Sequence, residues 1–170
     1  MTPSRTPSIA IGVSFYVVLS LATSYLLFNG GTAMSTLAGL LSCLVAVLAP
    51  VVAVWHYTST HHLTLLPGPG AGLGAAVGAA GAVLSGLIGW ALQQAGVFPS
   101  TDEMMAQTRR QMIEDGLSPD EVDGMMEMMG GMSQSLVTQL GIGVVVGLIV
   151  GAVAGAIAAQ IFKKGEPEVL

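Results

Sequence analysis

A chain of 170 residues that is 52% hydrophobic and 9% charged, with a mean hydropathy of +0.74, does not have the composition of a soluble domain, in which about a quarter of the residues are charged. Its formal net charge of -5 leaves no basic patch for nucleic acid. No Asp, Glu, Lys or Arg falls between Arg5 and Asp102 or from Met128 to Phe162, so charge is confined to the two ends and one central segment, within a single domain over 1–170.

The head, residues 1–8, is short and polar. Residues 9–28 are apolar for long enough to cross a bilayer at about 1.5 Å per residue, and the run exceeds the shorter apolar core of a signal peptide, so a retained first span is expected. Ser14, Tyr16, Ser20, Thr23 and Ser24 lie in it and are expected to return hydrogen bonds to the preceding turn or to a neighbouring helix. Asn29, Gly30 and Gly31 mark a stop. The second span is expected over 35–55, with Pro50 inside it and Trp55, His56 and Tyr57 as interfacial anchors at its end. Cys43 has apolar neighbours and reads as a small buried hydrophobe. His56, His61 and His62 lie within seven residues but lack a local carboxylate or cysteine, so solvated interfacial histidines are expected and not a metal site.

The third span, 71–92, carries Gly70, Gly74, Gly78, Ala82 and Gly86 at a spacing of four, one helical turn. The fourth, 136–162, repeats the device with Gly143, Gly147, Gly151, Gly155 and Ala159. Glycine lowers helix stability in water by roughly 1 kcal/mol relative to alanine, whereas in lipid a ridge without side chains lets two backbones approach and gain dispersion. The simplest arrangement packs the two ridges against each other.

Between these spans the character changes. Ser100 with Glu103, and Ser118 with Glu121, are capping boxes; Pro119 stands at a first helical position, Gly116 at a helix end, and Gly130 and Gly131 at another. Two short helices within an insert over 99–131 are therefore expected, with Met105 and Met112 on one apolar face and Val122, Met125, Met126 and Met129 on the other. The fold class is all-α: a four-transmembrane-helix bundle with an extramembrane amphipathic helical hairpin between the third and fourth spans. Arg5, Lys163 and Lys164 place both termini in the cytoplasm of a bacterial inner membrane and residues 95–135 outside.

The whole arrangement resembles domain-of-unknown-function family 4199, a group of four-helix bacterial membrane proteins. The likeness lies in two helices, a polar join reading HYTSTHHLTLLPGPG, a glycine-rich third helix, an insert reading RRQMIEDGLSPDEVDGMMEMM, and a last helix ending in lysine. The resemblance implies architecture but no catalytic residues, cofactor or substrate.

For function, the expectation is a structural or partner-binding protein of the bilayer, with a membrane-protein partner or a second copy of the chain. Two alternatives stand beside it. Eight of the ten methionines fall between Met104 and Met132, and thioethers suit copper(I), with Met125, Met126, Met128, Met129 and Met132 as the cluster. A small channel or transporter, formed as an oligomer, would have to use neutral groups such as Tyr16, Gln139 and Gln160, since the spans contain no acid or base. No paired carboxylate within the membrane, no Ser-His-Asp arrangement and no phosphate-binding glycine loop points to an enzyme.

Overall fold

The computed structural model describes residues 3–29, 32–133 and 136–163, with side chains at all of these except 29, 32–36, 101 and 129–133. Six helices follow in order: α1 (Thr6–Asn29), α2 (Thr32–His61), α3 (Pro67–Gln94), α4 (Thr101–Glu114), α5 (Pro119–Ser133) and α6 (Leu136–Ile161). Four of them, α1, α2, α3 and α6, are long and apolar enough to cross a membrane. They are apolar on all sides, as lipid-embedded helices are.

Three of the four spans are longer than the sequence implied, whereas α6 ends at Ile161, one residue short of the expected 162. α3 begins at Pro67, because proline at the first helical position loses no bond and Leu66 before it is extended, with φ -71° and ψ 155°. α2 does not end at Trp55 but continues to His61, since nothing between the two residues breaks a helix. Its end is made by His62, the only non-glycine residue with positive φ (53°) among the described residues. In the central segment, α5 runs through Gly130 and Gly131 to Ser133; glycine weakens a helix without forbidding its dihedral angles. The stop expected at Gly30 and Gly31 lies outside the described residues, as does Lys164.

Helix α3 packs along α6, α1 pairs with α2 and α3, and α2 also touches α3 and α6. No α1–α6 backbone contact occurs among the described residues, so these two helices flank the pair α2 and α3. Because successive long helices run antiparallel, the start of α1, the α2–α3 join and the end of α6 share one end of the bundle, the termini end. The segment containing α4 and α5 leaves from the other end. The contact of Phe28 with Phe98, ring centroids 5.3 Å apart, ties the end of α1 to the α3–α4 connection at that insert end.

The core lies toward the termini end. It comprises Val13, Ala49, Ala53, Val54, Tyr57, Leu65, Leu73, Val77, Ala158 and Ala159, with Phe162 packed against it. Tyr57 is fully buried, which corrects the expectation of an interfacial ring. Its hydroxyl donates to Pro3 O at 3.5 Å, the Arg5 guanidinium lies 5.9 Å from its ring centroid, and the His61 ring meets it edge-on at 5.0 Å. His56 is hydrogen-bonded through Nδ1 to the buried Ser8 Oγ at 2.9 Å. Two of the three histidines thus serve packing, contrary to the solvated reading, because the extra turns of α2 set His56 against Ser8 of α1 and His61 one turn beyond Tyr57.

Cys43 is exposed and not buried. Within residues 37–48 of α2, only Ala38 and Val45 are buried, one stripe seven residues apart, and Cys43 lies off that stripe. Two of the span hydroxyls behave as expected: Thr23 Oγ1 donates to Leu19 O and Ser20 O, and Ser24 Oγ donates to Ser20 O, at 2.9–3.0 Å.

Candidate functional site: a glycine seam and the polar cleft at its end

Buried residues of α3 form two adjacent stripes, Gly70, Gly74 and Gly78 beside Leu73, Val77 and Gly81. Those of α6 are Gly147, Gly151, Ala154, Gly155, Ala158 and Ala159. The glycine stripes meet in antiparallel register. A Cβ built on Gly74 or Gly78 would collide with the carbonyl oxygen of Gly151 or Gly147 respectively, and one on Gly70 would lie 2.8 Å from Gly155 O and 2.5 Å from Ala159 Cβ. Reciprocally, a Cβ on Gly155 would lie 2.9 Å from Gly74 Cα. These are contacts of backbone on backbone, so there is no flexible side chain to move aside.

The seam opens toward the insert end. At the next position along it a Cβ on Gly143 would sit 3.8 Å from Ala82 Cβ, ordinary van der Waals contact, and Gly86 faces only the side chain of Leu140. All eight glycines singled out from the spacing thus lie along the α3–α6 contact, at three different degrees of closeness. Two others are tight without belonging to a repeat. Gly12 of α1 lets that helix cross Ala53 and Val77, with a built Cβ 2.8 Å and 3.0 Å away, and Gly81 receives the Tyr16 ring, with a built Cβ 2.6 Å from Tyr16 Cγ. The one signal for Gly12 was its being the single glycine of an otherwise bulky span.

Where the seam opens, a cleft of about 290 Å³ lies between α1, α3 and α6. Its polar lining is Tyr16, Ser20, Ser85 and Gln139; Ala82, Gly86 and Gly143 supply the floor, and Leu136 and Leu140 an apolar wall. Tyr16 and Gln139, two of the neutral groups noted from the sequence, are brought together here. Gln160 is not: it is exposed near the other end of α6. Ser85 Oγ donates to Ala82 O at 3.3 Å. A larger depression of about 560 Å³ lies on the outward face of α1 alone, with Ser14 its one hydroxyl; it is the relief of a single apolar helix and assembles no chemistry.

In the segment between α3 and α6, both capping boxes are formed. Ser100 N–H donates to Glu103 Oε2 at 2.8 Å while Glu103 N–H donates to Ser100 Oγ at 3.3 Å, and Ser118 and Glu121 repeat the exchange at 3.0 and 3.4 Å. These bonds hold the Glu103 and Glu121 carboxyls below the ordinary glutamate range: for Glu103 the Ser100 backbone bond leads, for Glu121 the Ser118 hydroxyl. Gly96 and Gly116 take positive φ, +70° and +97°, at the turns that follow α3 and α4. Arg109 Nε donates to Asp123 Oδ1 at 2.9 Å, joining α4 to α5, and this raises the Arg109 pKa.

Among the described residues, the clustered methionines of α5 do not share one surface. Val122 is fully buried and Met126 half-buried, whereas Met125 and Met128 are exposed, Met128 by 76%. The stripe that packs is thus Val122 and Met126, one turn apart, and Met125 is corrected to the outside. The side chains of Met129 and Met132 lie outside the described residues. Among the described residues no three His, Cys, Asp or Glu side chains gather in a way that would hold a metal ion. No family model, curated protein or solved structure matches this chain.

Proposed function

We propose that this is a non-catalytic multi-pass membrane protein that acts by binding a partner, with the α3–α6 seam as a rigid stem and the α4–α5 segment as the part offered to the partner. The observation that carries this reading is the backbone-on-backbone register of the glycines, which fixes both ends of the intervening segment at one end of the bundle. A stem built this way loses little conformational entropy when something docks on the segment it holds. In this reading α4 and α5 form an amphipathic hairpin outside the bilayer, since eight acids fall within residues 102–127 and would be very costly to place in lipid. Charge bias near the span ends puts the termini in the cytoplasm of a bacterial inner membrane and the hairpin outside, and membership of the four-helix group that the arrangement resembles belongs to the same proposal.

The partner is a membrane protein or a second copy of the chain. Met125 and Met128, flexible and outward-facing, suit an adaptable contact surface. The copper(I) reading draws on the same cluster, but Met125 and Met128 are exposed while Met126 is half-buried, so the partner reading is preferred. Crosslinking in intact cells, followed by mild-detergent purification and mass spectrometry, tests it. Crosslinks from residues 102–128 to another polypeptide are expected; a chain recovered alone, with crosslinks only within itself, contradicts it. In a Cys43→Ser background, Met128→Cys is expected to react with a membrane-impermeant maleimide added outside, and labelling of Lys163→Cys instead would reverse the orientation.

A further inference from the structure

We propose that the cleft between α1, α3 and α6 binds an uncharged, hydroxyl-bearing group, of the kind carried by a neutral glycerolipid, received through the gap that α1 and α6 leave between them. Tyr16 lies near the middle of the 24-residue α1, where a hydroxyl has no bulk water to fall back on, and an unsatisfied hydroxyl in an apolar medium costs roughly 2–7 kcal/mol. Yet neither the Tyr16 nor the Ser20 hydroxyl has a hydrogen-bond partner among the described residues, and neither is sealed off: no side-chain nitrogen or oxygen described is both fully buried and unpaired. Both line the same cleft, together with the Ser85 hydroxyl and the Gln139 amide.

The Tyr16 ring is held in place by the absence of a side chain at Gly81, so its orientation is fixed before anything binds. The volume, about 290 Å³, equals that of roughly ten waters at ~30 Å³ each, enough for a glycerol unit and the first carbons of a chain. The lining decides the ligand's class. Phenol, hydroxyl and amide both donate and accept, which suits hydroxyl groups, while the cleft is lined by no Asp, Glu, Lys, Arg or His to pair with a charged headgroup. The apolar wall of Leu136 and Leu140 and the missing α1–α6 backbone contact give an acyl chain a way out into the bilayer, so the lipid is favoured over a free polyol as the source.

The test is native mass spectrometry of the full chain released from detergent micelles, titrated with 1-monooleoylglycerol, with free glycerol and with phosphatidylglycerol. Retention of monooleoylglycerol is expected, weakened about tenfold in Tyr16→Phe, the scale of one lost hydrogen bond. The phenylalanine ring keeps its seat on Gly81, and an unchanged thermal midpoint checks that the fold survives. Retention of glycerol alone would keep the site and make the source a free polyol. Failure of both to bind, equal retention by a Tyr16→Phe, Gln139→Leu chain, or preference for the anionic lipid would each overturn the proposal. A photoreactive diazirine monoacylglycerol gives a reading that needs no variant: labelling is expected on the peptides holding Tyr16 and Leu140, and labelling confined to other helices refutes the site.

Discussion

The termini end and the insert end of the bundle use the same kinds of residue to opposite effect. Toward the termini, α3 and α6 approach until backbone meets backbone, α1 crosses at Gly12, and Tyr57, Leu65 and Leu73 fill what remains with almost no exposure. Toward the insert, α6 has no buried residue before Gly147, α3 none after Gly81, and α2 exposes Leu40, Leu41 and Leu44. Inclined straight helices touch near their crossing and diverge away from it, so a uniform row of small residues yields a closed seam at one end and a cleft at the other. Small residues permit close approach but do not compel it; inclination and the bulky groups beside them decide where it happens.

The sharpest way to break this comparison is to add a side chain on either side of it. Gly74→Leu places a branched side chain against the Gly151 carbonyl. We expect a loss of about 3 kcal/mol or more, at or beyond the upper end of ordinary overpacking, read as separation of α3 from α6 in a detergent unfolding titration. Gly89 has nothing within 4 Å of a built Cβ, and Gly89→Leu should change stability by less than about 0.5 kcal/mol. Equal effects at the two positions would abolish the distinction. Next in size is Tyr57→Ala, for which the buried ring and the cavity it leaves predict a loss of about 3–5 kcal/mol, against about 0.5 kcal/mol or less for Leu44→Ala on the open part of α2.

The existence of four long apolar helices was legible because their runs contain no charge, and the α4 and α5 starts because Ser100 with Glu103 and Ser118 with Glu121 have few structural uses other than a cap. The spacing of four pointed to the glycines of the seam. What the residues could not disclose is where the register closes. Gly143 and Gly151 are identical in pattern, yet only Gly151 touches backbone, because α3 and α6 draw apart toward the insert end, which no local signal encodes. Tyr57 misled because an amphipathic ring near the end of an apolar run suits an interface as well as a core; its burial depends on Pro3, Arg5 and His61, the first two more than fifty positions away in the chain. The cleft is of the same kind, since Tyr16, Ser85 and Gln139 share no motif and meet only through tertiary packing.

The smallest expected effect separates the insert from the bundle by pH. The folded carboxyls of Glu103 and Glu121 titrate below their ordinary value, so the stability they lend the starts of α4 and α5 is fully present above the unfolded glutamate pKa of about 4.3 and fades as pH falls through the lower folded values. α1, α2, α3 and α6 contain no carboxylate. Carboxyl carbon NMR should place both titrations below the ordinary glutamate range, and amide protection, corrected for intrinsic exchange, should fall at the α4 and α5 starts in acid while Leu73 and Val77 hold. Ordinary titration of both groups would remove this contrast.

The α3–α6 register admits one direct measurement. A Cβ at Gly143 lies 3.8 Å from that of Ala82, close to the typical Cβ separation of a disulfide, about 3.8 Å. In native membranes, with Cys43 replaced by serine, the Ala82→Cys, Gly143→Cys chain should oxidise to an intramolecular disulfide nearly completely, while Ala82→Cys paired with Gly141→Cys, whose built Cβ has no neighbour within 4 Å, should stay reduced. A disulfide in the shifted pair and none between 82 and 143 would contradict the seam.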